Sequence, residues 1–266
     1  MSAPRSMTAD QLDRIRNWLL AFVESYRAAD GVLPAAVALK LDHTRRVAEN
    51  ARDIARDLDW SPDDVRLAEA LGWLHDAGRF AQFGEFGHFH DASSFNHGHR
   101  GADLVRESGV LDGLDEESGG CLFDGIRHHN AKSLPEELPP ARRAFLDLIR
   151  DTDKLDIFRV VAEGLERNGF RELADMWPHI HLDGPVNPLL LGDIRARNKG
   201  DVAHVESLAD FLLLEASWLC ELHFAPARAR ARRVRVLDTL AAHLPADPDV
   251  RAVLDNIRRF LESAPC

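Results

Sequence analysis

Apolar residues recur along most of the chain at intervals of three and four, the spacing that places them on one face of an α-helix. The first such segment opens with a capping box formed by Thr8 and Gln11 and runs toward Ala29. A second passes through His43 and ends near Leu58. No segment shows sustained alternation of apolar and polar residues, so the sequence predicts an all-α fold, a helical bundle with additional C-terminal helices.

Ser61, followed by Pro62, predicts the start of a third helix that ends near His75. The next segment, residues 78–96, is rich in Phe, Gly and His and lacks a long period, which predicts a loop. Prolines at 178, 185 and 188 predict a long irregular stretch. Further helices are predicted at residues 96–108, 121–129, 141–168 (one or two helices), 202–224, 228–243 and 249–263.

The length of 266 residues favours one domain with a helical extension. We therefore predict a first domain over residues 1–170, including the N-terminal helix, and an extension over residues 171–266 packed on the same core. The net charge is -11, from 44 acidic and 33 basic residues, which disfavours a nucleic-acid partner. A small anionic substrate is compatible with this charge, because a metal or a local cation can overcome the global field.

The cysteines Cys121, Cys220 and Cys266 are far apart and form no CxxC pair, which indicates a reducing compartment. Residues 1–10 have no apolar stretch of signal-peptide length. The most apolar stretch, residues 211–220, is too short to span a bilayer and carries Glu215. The sequence thus predicts a cytoplasmic protein with no membrane partner, and it leaves the oligomeric state open.

His43 lies on the core-facing side of the second predicted helix, because Val47, Ala51 and Ile54 follow it at helical intervals. An inward imidazole needs a partner, since an unpaired buried polar group is costly. A hydrogen-bonded core histidine would satisfy this pattern, and so would a metal ligand.

His75 and Asp76 follow the apolar end of the third predicted helix, which indicates that both point inward. A buried carboxylate beside a buried imidazole is costly unless something compensates it, and a cation does so directly. The alternative is a His-Asp hydrogen bond that closes the helix.

Asp153 lies on the apolar line of Phe145 and Ile149, whereas Asp151 and Asp156 are predicted to face away. Imidazoles and carboxylates from three helices suit an octahedral divalent ion with water in its shell. This mixture favours Mn, Fe, Ni, Co or Mg over a structural zinc site, which would prefer cysteine.

In this order His43, His75-Asp76 and Asp153 resemble the H…HD…D signature of the HD-domain metal-dependent phosphohydrolases. Four short segments extend the resemblance over about residues 41–160. They are Leu74-His75-Asp76-Ala77-Gly78-Arg79-Phe80 (HD-x-G-K/R), Asn96-His97-Gly98-His99-Arg100-Gly101 (H-x-x-x-G), Arg127-His128-His129-Asn130 and Asp151-Thr152-Asp153-Lys154-Leu155-Asp156. The region after about residue 170 resembles the C-terminal helical part of an uncharacterised bacterial branch.

The resemblance implies one or two divalent metal ions. His97 and one histidine of the pair His128 and His129 would hold the second ion, with Asp76 bridging both. His129 is preferred because it precedes Asn130. The resemblance also selects His97 over His99, because His97 lies four residues before the motif glycine.

The resemblance implies hydrolysis of a phosphomonoester or phosphodiester of a nucleotide or small metabolite by a metal-activated water. Asp76 would orient that water. Arg79 would neutralise the phosphate, because its planar guanidinium donates paired hydrogen bonds. A surface role for Arg79 is the alternative, and Lys154 is a weaker phosphate candidate.

Where the cyclic-dinucleotide HD-GYP enzymes carry glutamate after the double histidine, this chain has Asn130, and no GYP segment follows. That departure puts cyclic-dinucleotide specificity in doubt. Two alternatives use the same ligands: a di-iron oxygenase, or a nucleotide sensor without catalysis.

Two other features are assigned to the surface. The arginine run at 228, 230, 232, 233 and 235 is interpreted as a solvated helix face. His179 and His181 are interpreted as a surface loop rather than a second metal feature.

Overall fold

The computed structural model describes residues 5–171 and 180–263. Over these ranges the chain forms helices and no β-strand, which confirms the all-α prediction. The helices are α1 (Ala9–Glu24), α2 (Ala35–Asp57), α3 (Pro62–Leu74), α4 (Ala77–Phe86), α5 (His97–Glu107), α6 (Glu116–His128), α7 (Pro140–Asn168), α8 (Pro188–Arg197), α9 (Leu208–Trp218), α10 (Ala225–Arg233), α11 (Val236–Ala241) and α12 (Pro248–Glu262). None of the described helices combines the length and apolarity needed to cross a bilayer.

The chain divides into two compact units, Met1–Asp153 and Lys154–Cys266, so the division falls inside α7. The boundary predicted from the sequence lies later, at residue 170. In the N-terminal unit, α3 packs against α1, α2 and α6, while α5 packs against α4 and α6. In the C-terminal unit, α9 packs against α8, α11 and α12. The prediction that the C-terminal helices share one core with the rest stays a prediction.

Local signals in the sequence set the starts of the first and third helices. The Thr8 side chain accepts a hydrogen bond from the backbone of Gln11, and the Gln11 side chain bonds back to Thr8, forming the predicted capping box. Ser61 caps α3, because its side chain accepts a hydrogen bond from the backbone N–H of Asp64. The end of the first helix was predicted less well. The sequence indicated a helix running toward Ala29, whereas α1 stops at Glu24.

The loop predicted for residues 78–96 is wrong over its first half, where α4 forms. This helix buries Phe80 and also the polar side chain of Gln82, which hides the apolar period. Gln82 donates hydrogen bonds to Asp91 and to the hydroxyl of Ser94. The helix ends at Gly87, whose φ of 73° lies in the left-handed region that glycine favours.

The C-terminal predictions also needed correction. The helix α8 starts inside the predicted irregular stretch, where Asn187 accepts from the backbone of Leu189 and proline occupies the first turn. The helix predicted over residues 228–243 is interrupted at Arg235, whose φ is 54°. Arg228 is buried, with its guanidinium 5.5 Å from the ring centre of Phe260, so the arginine run is not uniformly solvated.

Asp151 and Asp156 do not face solvent as predicted. Both are 1% exposed, which makes them more buried than Asp153. Asp156 pairs with Arg159 at 3.1 Å. The helix α7 buries more than one face, so a single apolar line does not define its inward side.

A glycine allows the close approach of the two helices that carry the first predicted ligands. A Cβ atom at Gly72 on α3 would lie 2.4 Å from the Cα of Ala48 on α2. Because the obstacle is backbone, a side chain at this position would force α2 and α3 apart. His43 lies on α2, and His75 directly follows α3.

We expect Gly72→Ala to lower the free energy of unfolding by about 1–3 kcal/mol, the usual cost of overpacking a core. Gly119→Ala is the matched control, because it also lies in a helix but a Cβ there meets open space. That control should gain about 0.5–1 kcal/mol from the lower backbone entropy of the unfolded chain. Urea unfolding measures both, and equal stability of the two variants would contradict the packing argument.

Candidate metal centre

Six of the residues predicted as metal ligands converge in the N-terminal unit, at helix ends and helix faces. His43 lies on α2 and Asp153 on α7, while His75 and Asp76 form the junction between α3 and α4. The other two are His97, the first residue of α5, and His129, the C-cap residue that follows α6. Helix packing therefore brings together residues that lie up to 110 positions apart.

The first group of ligand atoms comes from His43, His75 and Asp153, which lie within 4.8 Å of one another. The Nε2 atom of His43 is 3.2 Å from Oδ1 of Asp153, and that of His75 is 3.9 Å from the same oxygen. The two histidines are 5% and 0% exposed. Two imidazoles and a carboxylate around one small volume form a donor set for a divalent cation.

The second group comes from Asp76, His97 and His129. The Nε2 atoms of the two histidines are 3.0 Å apart, and each is 3.5 Å from Oδ1 of Asp76. All three side chains are buried.

Asp76 lies between the two groups and offers one oxygen to each. Its Oδ2 is 3.5 Å from Nε2 of His43 and 3.4 Å from Nε2 of His75, whereas its Oδ1 faces His97 and His129. A carboxylate with this placement can bridge two ions. The tertiary structure thus gives Asp76 the geometry that the sequence resemblance assigned to it.

The chemistry of the histidines fits a cation. Nδ1 of His75 lies 2.8 Å from the carbonyl oxygen of Gly72, which assigns the hydrogen to Nδ1 and leaves a lone pair on Nε2. That Nε2 is buried and has no hydrogen-bond partner within the described residues. A buried lone pair directed at two carboxylates is costly by itself, and a metal ion between them would remove that cost.

The second group gives an independent argument. Nδ1 of His129 lies 2.8 Å from the carbonyl oxygen of Ile126, and Nδ1 of His97 lies 2.7 Å from Oδ2 of Asp91. Both hydrogens are therefore on Nδ1, and two Nε2 lone pairs face each other at 3.0 Å. Burial lowers the pKa of His97 to about 4, against the raising effect of Asp91, so its ring is neutral near pH 7. A cation between the two rings resolves the opposed lone pairs.

The carboxylates are held in the ionised form that metal ligation requires. Burial would raise the pKa of Asp76, but Lys40 and His75 hold it well below its ordinary value. Burial opposes ionisation of Asp153 in the same way, and the neighbouring imidazoles of His43 and His75 hold the pKa of that carboxyl low.

Asp91 supports the second group and was missed in the sequence, where its segment was interpreted as a plain loop. Its Oδ2 accepts from Nδ1 of His97, while its Oδ1 accepts from Arg79 and Gln82 at 2.7 and 3.0 Å. Burial would raise the pKa of Asp91, but His97 and Arg79 hold it well below its ordinary value. A carboxylate behind a histidine ligand fixes the ring orientation and its tautomer.

We expect Asp91→Asn to weaken binding of one of two metal ions by about ten- to a hundredfold, the usual effect of losing such a supporting carboxylate. Binding of the other ion should change little, because the described hydrogen bonds of the Asp91 carboxylate run to His97, Arg79, Gln82 and Asn130, none of which belongs to the first group. Calorimetric titration of the metal-free protein with Mn²⁺ measures both steps. Asp103→Asn, which changes a carboxylate on the outer side of α5 beside Arg106, is the control. Equal weakening of both ions would contradict the role of Asp91.

Lys40 is a second residue that was missed. Its Nζ lies 2.5 Å from Oδ2 of Asp76, and its side chain is 22% exposed. Lys40 precedes His43 by three residues, so both occupy one face of α2. This spacing is the signal that could have identified it.

The remaining predicted site residues lie elsewhere or have other partners. The His128 ring is half-buried and faces His99, at 6.3 Å between ring centres, and His128 belongs to neither ligand group. Lys154, in the C-terminal unit, lies 3.5 Å from Oε2 of Glu221.

Arg79 lies beside the second ligand group, with its Nε 3.9 Å from Oδ1 of Asp76. Its Nη1 donates to Gln82, Asp91 and the carbonyl oxygen of Phe89. His181 is exposed, and His179 lies outside the described residues.

Comparison with known proteins identifies the domain in which these six residues lie. Residues 41–160 match the family model described as HD domain, a segment that contains all six converging ligands. This segment is an HD domain, and the members of the HD-domain superfamily are mostly metal-dependent phosphohydrolases. No curated protein and no solved structure matches the chain.

Proposed function

We propose that this protein is a metal-dependent phosphohydrolase that cleaves a phosphomonoester or phosphodiester of a nucleotide or small phosphorylated metabolite. The observation that carries the proposal is the position of Asp76, whose two oxygens face two separate groups of histidine ligands. His43, His75 and Asp153 would hold one divalent ion, and His97 and His129 would hold the other. Mn, Fe, Ni, Co and Mg all suit this mixture of nitrogen and oxygen ligands.

Divalent ions bound here would supply a Lewis acid for the phosphoryl oxygen and a water whose pKa is lowered toward about 7. The residues of the chain set the surroundings for that chemistry. Asp76, buried and ionised, can orient the attacking water and accept its proton. Asp91 fixes the His97 ring from behind. The cations of Arg79 and Lys40 lie beside Asp76, where negative charge of a phosphate would be neutralised.

The test is hydrolysis of a panel of phosphate esters by protein stripped of metal and reloaded with Mn²⁺, Ni²⁺, Co²⁺, Fe²⁺ or Mg²⁺. The panel should contain nitrophenyl phosphate, bis-nitrophenyl phosphate, nucleoside monophosphates, cyclic nucleotides and guanosine tetraphosphate. We expect release of phosphate, of pyrophosphate or of a phosphomonoester with at least one ion, and none with the stripped protein. Absence of turnover with every ion would overturn the proposal. Oxygen uptake by the iron-loaded protein alone would favour the oxygenase, and nucleotide binding without hydrolysis would favour the sensor.

A further inference from the structure

The ammonium group of Lys40 reaches the metal centre from its solvent side. Its Nζ lies 2.5 Å from Oδ2 of Asp76, a carboxylate that is itself only 2% exposed. The Lys40 side chain is 22% exposed, so its stem connects the buried centre with the surface. Neither the family signature nor the predicted ligand set includes this residue.

The oxygen that Lys40 contacts is also the one directed at the first ligand group. Oδ2 of Asp76 lies 3.5 Å from Nε2 of His43 and 3.4 Å from Nε2 of His75. A divalent ion held by these atoms would carry the same sign of charge as the ammonium and would use the same oxygen. Lys40 and the ion therefore compete for Asp76.

The second cation near Asp76 is positioned differently. The Nη1 atom of Arg79 donates to Asp91 and Gln82, which belong to the support of His97. Its Nε is 3.9 Å from Oδ1 of Asp76, on the side of the second ligand group. The ammonium of Lys40 carries its charge on a flexible four-carbon stem, so it can move away from Oδ2 and remain at the centre.

We propose that Lys40 exchanges partners during function: it neutralises Asp76 in the metal-free protein and binds a phosphoryl oxygen of the substrate once an ion occupies the first ligand group. This inference rests on the proposed function, because it assigns the residue that recognises the phosphate at that same centre. The chemistry it requires of the ligand is an anionic, non-bridging phosphoryl oxygen. Lys40 then offsets charge on the phosphate that the buried carboxylates would otherwise repel.

Two titrations of the full chain test the exchange. The first follows Mn²⁺ binding to metal-free wild type, Lys40→Met and Lys40→Arg by calorimetry. The second follows binding of inorganic phosphate to each Mn²⁺-loaded protein. For Lys40→Met we expect tighter binding of one Mn²⁺ ion, by about tenfold, because a competing charge has left Asp76. We also expect phosphate to bind about ten- to a hundredfold more weakly, since a charge-assisted hydrogen bond is lost.

Changes in opposite directions separate this role from a structural one. A lysine that merely supported Asp76 would, on removal, weaken the metal and leave phosphate binding unchanged. Lys40→Arg should keep both affinities near those of the wild type. Arg45→Met is the charge-matched control, because Arg45 lies on the same helix and is exposed to solvent, where it pairs with Asp42.

Each outcome decides the question. Weaker Mn²⁺ binding by Lys40→Met, or unchanged phosphate affinity, overturns the exchange while leaving the proposed function intact. Absence of binding of every ion of the hydrolysis panel by the wild type would overturn both. Circular dichroism of the metal-free variants shows whether the helices are kept, and Lys40→Gln, which also removes the charge and for which we expect the same two changes, carries the test if Lys40→Met does not fold.

Discussion

Asp76→Ala is expected to remove both metal ions and to lower phosphate-ester hydrolysis by about a thousandfold or more. The two carboxyl oxygens of Asp76 face different ligand groups, so this one substitution removes a ligand atom from each group. Metal ions contribute several kcal/mol to transition-state stabilisation, and each 1.36 kcal/mol corresponds to a factor of ten in rate. Elemental analysis gives the metal content, and initial rates on the best ester of the panel give the activity.

The adjacent histidines provide the control for this experiment. His128→Gln changes the residue next to His129 in the sequence. The His128 ring, however, lies against His99, and His128 belongs to neither ligand group. We expect this variant to keep its metal content and to retain most of its activity. Retention of two ions by Asp76→Ala would contradict the bridging role.

Glu215→Leu is expected to raise the free energy of unfolding by about 1–3 kcal/mol at pH 7, the usual cost of burying an unsatisfied polar group. Glu215 lies on α9 and is 0% exposed, and within the described residues neither of its carboxyl oxygens has a hydrogen-bond partner. Leucine has a similar size and removes that cost. Urea unfolding measures the difference, and Glu206→Leu, at an exposed position of the same unit, should stay within about 0.5 kcal/mol of the wild type.

The burial of Glu215 also leads us to expect that the free energy of unfolding depends on pH. Burial raises the pKa of Glu215 well above its ordinary value of 4.5. Between 4.5 and that raised pKa the unfolded chain releases a proton that the folded chain keeps. Stability contributed by the protonated acid is therefore complete below about pH 4.5 and is lost as the pH rises. Unfolding of wild type and Glu215→Leu from pH 4.5 to 8 should diverge with rising pH, and parallel curves would contradict this assignment.

Some of the fold could be predicted from the sequence because its signals are local. Thr8 and Ser61 bond to backbone groups three residues away, so they define helix starts wherever the helix later packs. The helix α4, which was predicted as a loop, shows the opposite case. Gln82 is buried on this helix, where it donates hydrogen bonds to Asp91 and Ser94. The spacing of apolar residues along the sequence does not predict that these partners lie beside it.

In the candidate site, too, some residues could be identified from the sequence and others could not. His43, His75, Asp76 and Asp153 could be selected from apolar periodicity and motif spacing, because a ligand on a core-facing position leaves a polar residue within an apolar line. Asp151 and Asp156 show where that reasoning fails. Both were assigned to the outside from their position relative to one line, yet both are buried, because α7 is covered on more than one face.

The sequence by itself determined the helical class, the starts of α1 and α3, and the order of the ligands, since these depend on neighbours within one or two helical turns. The tertiary structure alone decided how the ligands combine. It separated His129 from His128, placed Asp91 behind His97 and brought Lys40 onto Asp76. These contacts depend on how helices approach one another, and close approaches such as that of Gly72 to Ala48 fix them.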